Sequence, residues 1–205
     1  MGIVERKKRE RQNIRRLILD TAMKLFIEEG FENVTMRRIA EIIEYSPASI
    51  YSYFENKDDI LYVLYLEGFE ELFRRQQSVL AIKDPVKRLR KHGEVYISFA
   101  FDRPELYDLM FIMRAPVRKI RERDEGNVAL VAYGFLKQNV KECMDAGLFP
   151  KTNVDVATFS FWSLVHGMVS LIIRERCIMF SEEQQKSIAM DSLDFILMRV
   201  LKKGK

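Results

Sequence analysis

An all-α fold of about nine helices is what the sequence predicts, and three observations predict it. Nine Gly and five Pro in 205 residues fall well below the ordinary usage of these two breakers, roughly 12% together. Apolar residues recur at three- and four-residue spacing through stretches rich in Leu, Ile, Met, Glu, Lys and Arg. No stretch alternates cleanly with period two, and no Asn-Gly or Asp-Gly pair offers a hairpin turn. With 48% apolar residues and only Cys143 and Cys177, outside any CxxC pair, neither a disordered chain nor a disulfide scaffold is expected. Residues 1–16 are charged and lack an apolar core segment, so no signal peptide is expected.

Each element follows from its own signals. A first helix over residues 5–29 is expected because Ile14, Leu17, Ile18, Ala22, Leu25 and Phe26 share one stripe, with Gly30 ending it in a left-handed backbone. Thr35 caps a short second helix whose Met36, Ile39, Ala40 and Ile43 face inward. Ser46-Pro47, a cap followed by proline at the first helical position, starts a third short helix that carries Ile50 and Phe54 inward. Asn56 caps a fourth, whose first turn places Asp58 and Asp59 at the positive end of the helix dipole. Residues 60–66 are apolar nearly all round and are predicted to be buried on several sides.

Later helix starts are marked by Asp84-Pro85, Arg103-Pro104, Ala115-Pro116, Thr152 after Pro150, and the capping box Ser181-Glu182-Glu183-Gln184. The last helix repeats Ala189, Leu193, Ile196, Leu197, Val200 and Leu201 at helical spacing. Residues 159–173 are mostly apolar but shorter than the roughly twenty a membrane span needs, and they contain His166 and three serines. A helix buried on all sides, in a core or a subunit interface, is expected there, and no membrane partner. The division expected is a helix-turn-helix domain over residues 1–56 and a larger helical domain over 57–205.

Charge is unevenly placed. Residues 5–16 hold seven basic side chains against Glu5 and Glu10, a net +5; the chain as a whole carries +4, so the remainder sums to −1. Such a run is either a solvated helix end or an arm that neutralises phosphates or enters a minor groove, with Arg6, Lys7, Lys8 and Arg9 as its contacts. Three short helices with a tight turn between the second and third are the parts of a helix-turn-helix. The third would expose Pro47, Ala48, Ser49, Ser52 and Tyr53 opposite Ile50 and Phe54. Such small side chains let a helix sink into a major groove, where hydroxyls bond base edges and a methyl meets thymine. The helix start at Ser46 and the tyrosines are natural phosphate partners.

The run Gly30-Phe31, Thr35-Met36-Arg37-Arg38-Ile39-Ala40, Ser46-Pro47-Ala48-Ser49-Ile50-Tyr51-Ser52-Tyr53-Phe54 and Lys57-Asp58-Asp59-Ile60-Leu61 resembles the DNA-binding domain of TetR-family repressors in spacing and residue class. Two departures are Glu44 and Ala48, each where that family usually has Gly; a left-handed Glu44 would cost on the order of 1 kcal/mol. The resemblance implies that Thr35, Tyr51 and Lys57 bind phosphates and that Pro47, Ala48, Ser49, Ser52 and Tyr53 face bases. It places Arg37 near the backbone or a base edge. Trp162-Ser163-Leu164-Val165-His166-Gly167 and Asp102-Arg103-Pro104-Glu105-Leu106-Tyr107 resemble the Trp-His-Gly type of TetR/AcrR-like ligand-binding domain.

Catalysis needs a nucleophile, a base and an orienting group together. With two His, isolated Cys and no GxSxG, HExxH or P-loop pattern, no enzyme, metal or cofactor is expected. A plain core accounts for most of the aromatic and Met side chains in the middle of the chain, although ten Met also suit an adaptable cavity. The resemblance implies such a cavity for a small hydrophobic or aromatic effector, with Tyr96, Phe99, Tyr107, Met110, Phe111, Tyr133, Trp162 and His166 as its candidate lining. His166 alone reads either as a satisfied core histidine or as a ligand contact. Helix-turn-helix proteins read two half-sites, so a homodimer is expected on double-stranded operator DNA. Its interface would be the last two helices, residues 153–176 and 181–201, unless these pack within one subunit. The expectation is a cytoplasmic transcriptional regulator, a repressor released by its effector; the alternative is a large domain that answers to a protein partner.

Overall fold

The structure is a computed structural model and describes residues 2–113 and 128–201; the expected helix start at Ala115-Pro116 lies outside the described residues. Among the described residues there are nine α-helices and no strand, and they form two compact units.

The first unit holds residues 2–68 and 105–113. Its helices are α1 (Ile3–Leu25), α2 (Met36–Ile42), α3 (Pro47–Tyr51), the N-terminal part of α4 (Lys57–Gln77) and most of α6 (Pro104–Phe111). The Gly2 N–H donates to Glu5 Oε2 at 3.1 Å and helps start α1. Ile18, Leu19, Ala22 and Leu25 then join Phe26, Val34, Ile39, Ile50, Ile60, Leu61 and Leu64 in one core. Leu17, expected on that stripe, is 43% exposed instead. The buried line runs through Ile18, Ala22 and Leu25, and a residue one step before Ile18 sits about 100° around the helix.

The first helix does not remain α-helical to Glu29. A π-turn, Phe26–Gly30, widens its end. The spacing from Phe26 to Phe31 matches the i, i+5 register of that turn, so both rings point inward, 5.0 Å apart. Gly30 then reverses the chain at φ +81. Arg16 anchors α1 on its outer side, Nε donating to Asp20 at 2.8 Å and Nη1 to Glu67 at 2.6 Å, and these carboxylates raise its pKa.

The second unit holds residues 69–104 and 128–201: the rest of α4, α5 (Pro85–Asp102), α7 (Val128–Asp145), α8 (Val154–Ile173) and α9 (Glu182–Val200). Asp84 caps α5, its Oδ1 accepting the N–H groups of Val86 and Lys87 at 2.9 Å, with Pro85 at the first position. α5 is the central helix, packed on α7, α8 and α9. At Gly93 a Cβ would overlap the Leu193 side chain, so the missing side chain is what lets α9 close on α5. α9 opens with the expected capping box, the Ser181 N–H donating to Gln184 Oε1 at 3.1 Å.

α8 is capped by Asn153 and not by Thr152. Asn153 Oδ1 accepts from Asp155 at 2.7 Å and Val156 at 3.3 Å, and Thr152 stands one residue too early for that reach. α8 is also not buried all round within one chain. Phe161, Val165, Val169 and Ile172 face the core, while Val156, Phe159 (58%) and Leu171 are exposed. On α9, Phe195 and Met198 (66%) are likewise exposed beside the buried Ala189, Leu193 and Leu197. Among the described residues α8 is also the one helix long and apolar enough to cross a membrane.

Candidate nucleic-acid interface

The helix-turn-helix is assembled from local capping chemistry. Thr35 Oγ1 accepts the Arg38 N–H at 3.1 Å and starts α2, which buries Met36, Ile39 and Ala40. The turn is closed by the Tyr45 N–H on Ala40 O at 2.9 Å, with Glu44 left-handed at φ 58, where the family resembled has Gly. A side chain held there costs about 1–2 kcal/mol. Ser46 Oγ accepts the Ser49 N–H at 3.2 Å, Pro47 takes the first helical position, and α3 begins. Ile50 and Phe54 anchor α3 in the core.

The opposite face is open. Ser46, Pro47, Ala48, Tyr51 (55%) and Ser52 are exposed, with Ser49 and Tyr53 half-buried at its edges. The hydroxyls are already oriented: Ser46 Oγ lies 2.8 Å from Ser49 Oγ, and Ser52 Oγ donates to Ser49 O at 2.7 Å. Ser52 therefore presents lone pairs outward, and Ala48 presents a methyl.

α1 supplies the charge. Arg6, Lys7, Lys8 and Arg9 are exposed on a segment that is helical from Ile3 onward. Further along, the Arg11 guanidinium lies 5.7 Å from the Tyr53 ring centre and that of Arg15 lies 5.2 Å from Phe54, which tie the basic flank of α1 to the end of α3. A shallow cleft of about 380 Å³ separates them, lined by Lys7, Glu10, Arg11, Ile14, Ser52 and Tyr53.

The adjacent arginines of α2 differ. Arg38 is ion-paired with Glu29 at 3.0 Å, whereas Arg37 is exposed and no ion pair engages it among the described residues. Lys57 is half-buried, its Nζ donating to Phe31 O at 2.7 Å and Glu32 O at 3.1 Å beside the Phe31 ring. Its ammonium thus ties α4 to the turn after α1. Neither engagement is visible locally, because the partners of Arg38 and Lys57 are nine and 26 residues away.

The eight residues expected to line an effector cavity fall into two groups. Tyr107, Met110 and Phe111 belong to the first unit, where Tyr107 is fully buried against Phe111. Tyr96, Phe99, Tyr133, Trp162 and His166 belong to the second. There Tyr96 Oη is 3.2 Å from His166 Nδ1, and His166 Nε2 is 3.2 Å from Ser170 Oγ. Ser170 gives its own proton to His166 O at 2.6 Å, so Nε2 must donate and Nδ1 must accept from Tyr96. Burial lowers the His166 pKa, which favours this neutral tautomer. The Trp162 ring lies 5.6 Å from His166 and 6.2 Å from Tyr133, whereas Phe99 is fully buried beneath Arg75.

Residues 18–63 match the family model for bacterial regulatory proteins of the tetR family, and residues 89–191 match that for the tetracyclin repressor-like C-terminal domain. The HTH-type transcriptional regulator HbdR of Aromatoleum sp. (strain CIB) is 37% identical over 78 residues, 37% of this chain and a third (33%) of that relative. The HTH-type transcriptional regulator AcrR of Shigella flexneri is 24% identical over 179 residues, 80% of this chain and 78% of the relative. The crystal structure of the TetR-family regulator PfmR from Thermus thermophilus superposes with a TM-score of 0.72 at 21% identity, covering 91% of this chain and 99% of that one. On the two family matches, over a head built as a helix-turn-helix, the chain belongs to the TetR family of DNA-binding transcriptional regulators.

Proposed function

We propose that this regulator is a cytoplasmic repressor that binds its operator as a homodimer and leaves it when a small, largely apolar effector enters the larger domain. The observation that carries the reading is the open face of α3: a buried Ile50–Phe54 anchor beneath exposed Pro47, Ala48, Tyr51 and Ser52, with Arg37 unpaired among the described residues nearby in sequence. On this reading Thr35, Ser46, Tyr51 and Lys57 meet phosphates and Pro47, Ala48, Ser49, Ser52 and Tyr53 meet bases. The exposed apolar residues of α8 and α9, Val156, Phe159, Leu171, Phe195 and Met198, support a two-fold four-helix contact between subunits. The cluster of Tyr96, Tyr133, Trp162 and His166 supports an aromatic-lined effector site.

The basic run on α1 is helical, so it offers charge along a phosphate strand and not an extended arm threading a minor groove. Replacing Arg6, Lys7, Lys8 and Arg9 with Ala is expected to weaken binding alike on all sequences and to flatten the slope of log K against log[salt] by about 0.9 per lost phosphate contact. An unchanged slope would remove the run from the interface. Release by an effector requires that the ligand bind the operator-free state more tightly, by about 1.4 kcal/mol for each tenfold loss of operator affinity. Calorimetric titration of a compound that binds the larger domain, with and without operator, tests this: equal affinities would refute coupling and favour a protein partner as the signal.

A further inference from the structure

Along α5, Arg88, His92 and Tyr96 follow one another at i, i+4 spacing and therefore share a face. At one end of it Tyr96 Oη lies 3.2 Å from His166, whose ring neighbours Trp162, which in turn neighbours Tyr133. Toward the other end the side chains become polar and some of their buried atoms lack partners. His92 is 3% exposed, and neither ring nitrogen has a hydrogen-bond partner. Asn139 of α7 is 2% exposed; its Nδ2 donates to Pro85 O at 2.8 Å, but its Oδ1 is unpartnered. Arg88 pairs through Nη2 with Glu142 at 2.7 Å and leaves Nε unpartnered. The Asn139–Pro85 bond and the Arg88–Glu142 pair both tie α7 to this end of α5, so these groups form one neighbourhood.

Folded proteins leave very few buried polar atoms without partners, and four such atoms, Arg88 Nε, both His92 ring nitrogens and Asn139 Oδ1, lie on the packed pair α5 and α7. Burial and the nearby Arg88 lower the His92 pKa to about 4, so the ring is neutral near pH 7, with one nitrogen donating and one accepting. The unmatched capacity is then two donors, Arg88 Nε–H and one His92 N–H, and two acceptors, the other His92 nitrogen and Asn139 Oδ1. A carboxylate would leave both acceptors unmatched, and an ammonium both donors. A hydroxyl or a primary carboxamide serves both kinds.

We propose that Arg88, His92 and Asn139 form the polar end of the effector site and hold a neutral group that both donates and accepts hydrogen bonds, a hydroxyl or carboxamide, with the ligand's apolar body against Tyr96, Tyr133 and Trp162. This rests on the effector reading above and gives it a ligand class.

The test titrates the full-length protein with three probes that share one tail: 4-phenylbutan-1-ol, 4-phenylbutanoate and butylbenzene. The alcohol is expected to bind at least ~10-fold tighter than either of the others. In His92→Phe it should fall to the level of butylbenzene. The ligand-free melting temperature of that variant should rise by roughly 2–4 °C, because an unpartnered polar ring is replaced by an apolar one of similar size. Asn139→Leu provides a second variant with the same expected loss of alcohol preference. A lower ligand-free melting temperature for His92→Phe overturns the proposal, as does an alcohol preference that survives both variants, which would assign these groups to buried water. Equal binding of all three probes overturns the polar end and leaves the effector reading standing. Binding by none of them removes both.

Discussion

Ala48→Glu is expected to lower operator affinity by at least ~100-fold in fluorescence anisotropy titrations, with the melting temperature of the free protein unchanged. Ala48 is exposed and makes no side-chain bond that the fold needs. A glutamate in the first turn of α3 would sit favourably at the helix dipole, so folding has no reason to suffer. On DNA the same carboxylate would face phosphates and acceptor-rich base edges, and the methyl available to a thymine would be gone. A loss smaller than ~3-fold would show that α3 is not the element that reads DNA.

Phe26→Ala is the substitution expected to harm the fold most. The ring is 1% exposed, packs 5.0 Å from Phe31 and occupies the start of the π-turn. Truncating such a side chain costs about 3–5 kcal/mol, against a total stability of about 5–15 kcal/mol for an ordinary domain. Urea unfolding followed by circular dichroism should show an earlier transition, and operator binding should disappear at temperatures the parent tolerates. A shift worth under ~1 kcal/mol would mean that the surrounding helices close over the gap, which a core with fully buried Ile18, Leu19, Ile39, Ile50 and Ile60 leaves little room to do.

Most helix starts were legible because capping is local chemistry. Thr35, Ser46, Asn56, Asp84 and the Ser181–Gln184 pair each bond backbone or side-chain groups within three residues. Gly30 was legible for the same reason, since its left-handed φ is a property of the residue itself. The π-turn was not, because nothing in an apolar stripe distinguishes an i, i+4 end from an i, i+5 one until Phe31 has found its place. Leu17 was misplaced because a stripe read from spacing is wider than the line that finally touches the core.

The candidate interface was visible as a pattern of small side chains on α3, but its electrostatics were not. Arg37 and Arg38 are equivalent in sequence; Glu29, brought alongside by the turn, separates them. His92 escaped notice because an isolated histidine carries no motif. Its meaning lies in Asn139 and Arg88, contributed by a facing helix and by one turn of its own.

The five residues of α3 contain no lysine or arginine, and the serine hydroxyls in and beside it are bonded within the turn, Ser46 with Ser49 and Ser52 to Ser49 O. If α3 lies in the major groove as proposed, the helix itself lacks the two-pronged guanidinium grip on guanine that gives many regulators their strongest single base preference. On that reading the contribution of α3 to selectivity comes from thymine methyls and exocyclic amino groups, spread thinly over several base pairs. Mismatches in its target should therefore be graded and individually mild, and a small family of related promoters becomes a more natural clientele than one perfect site.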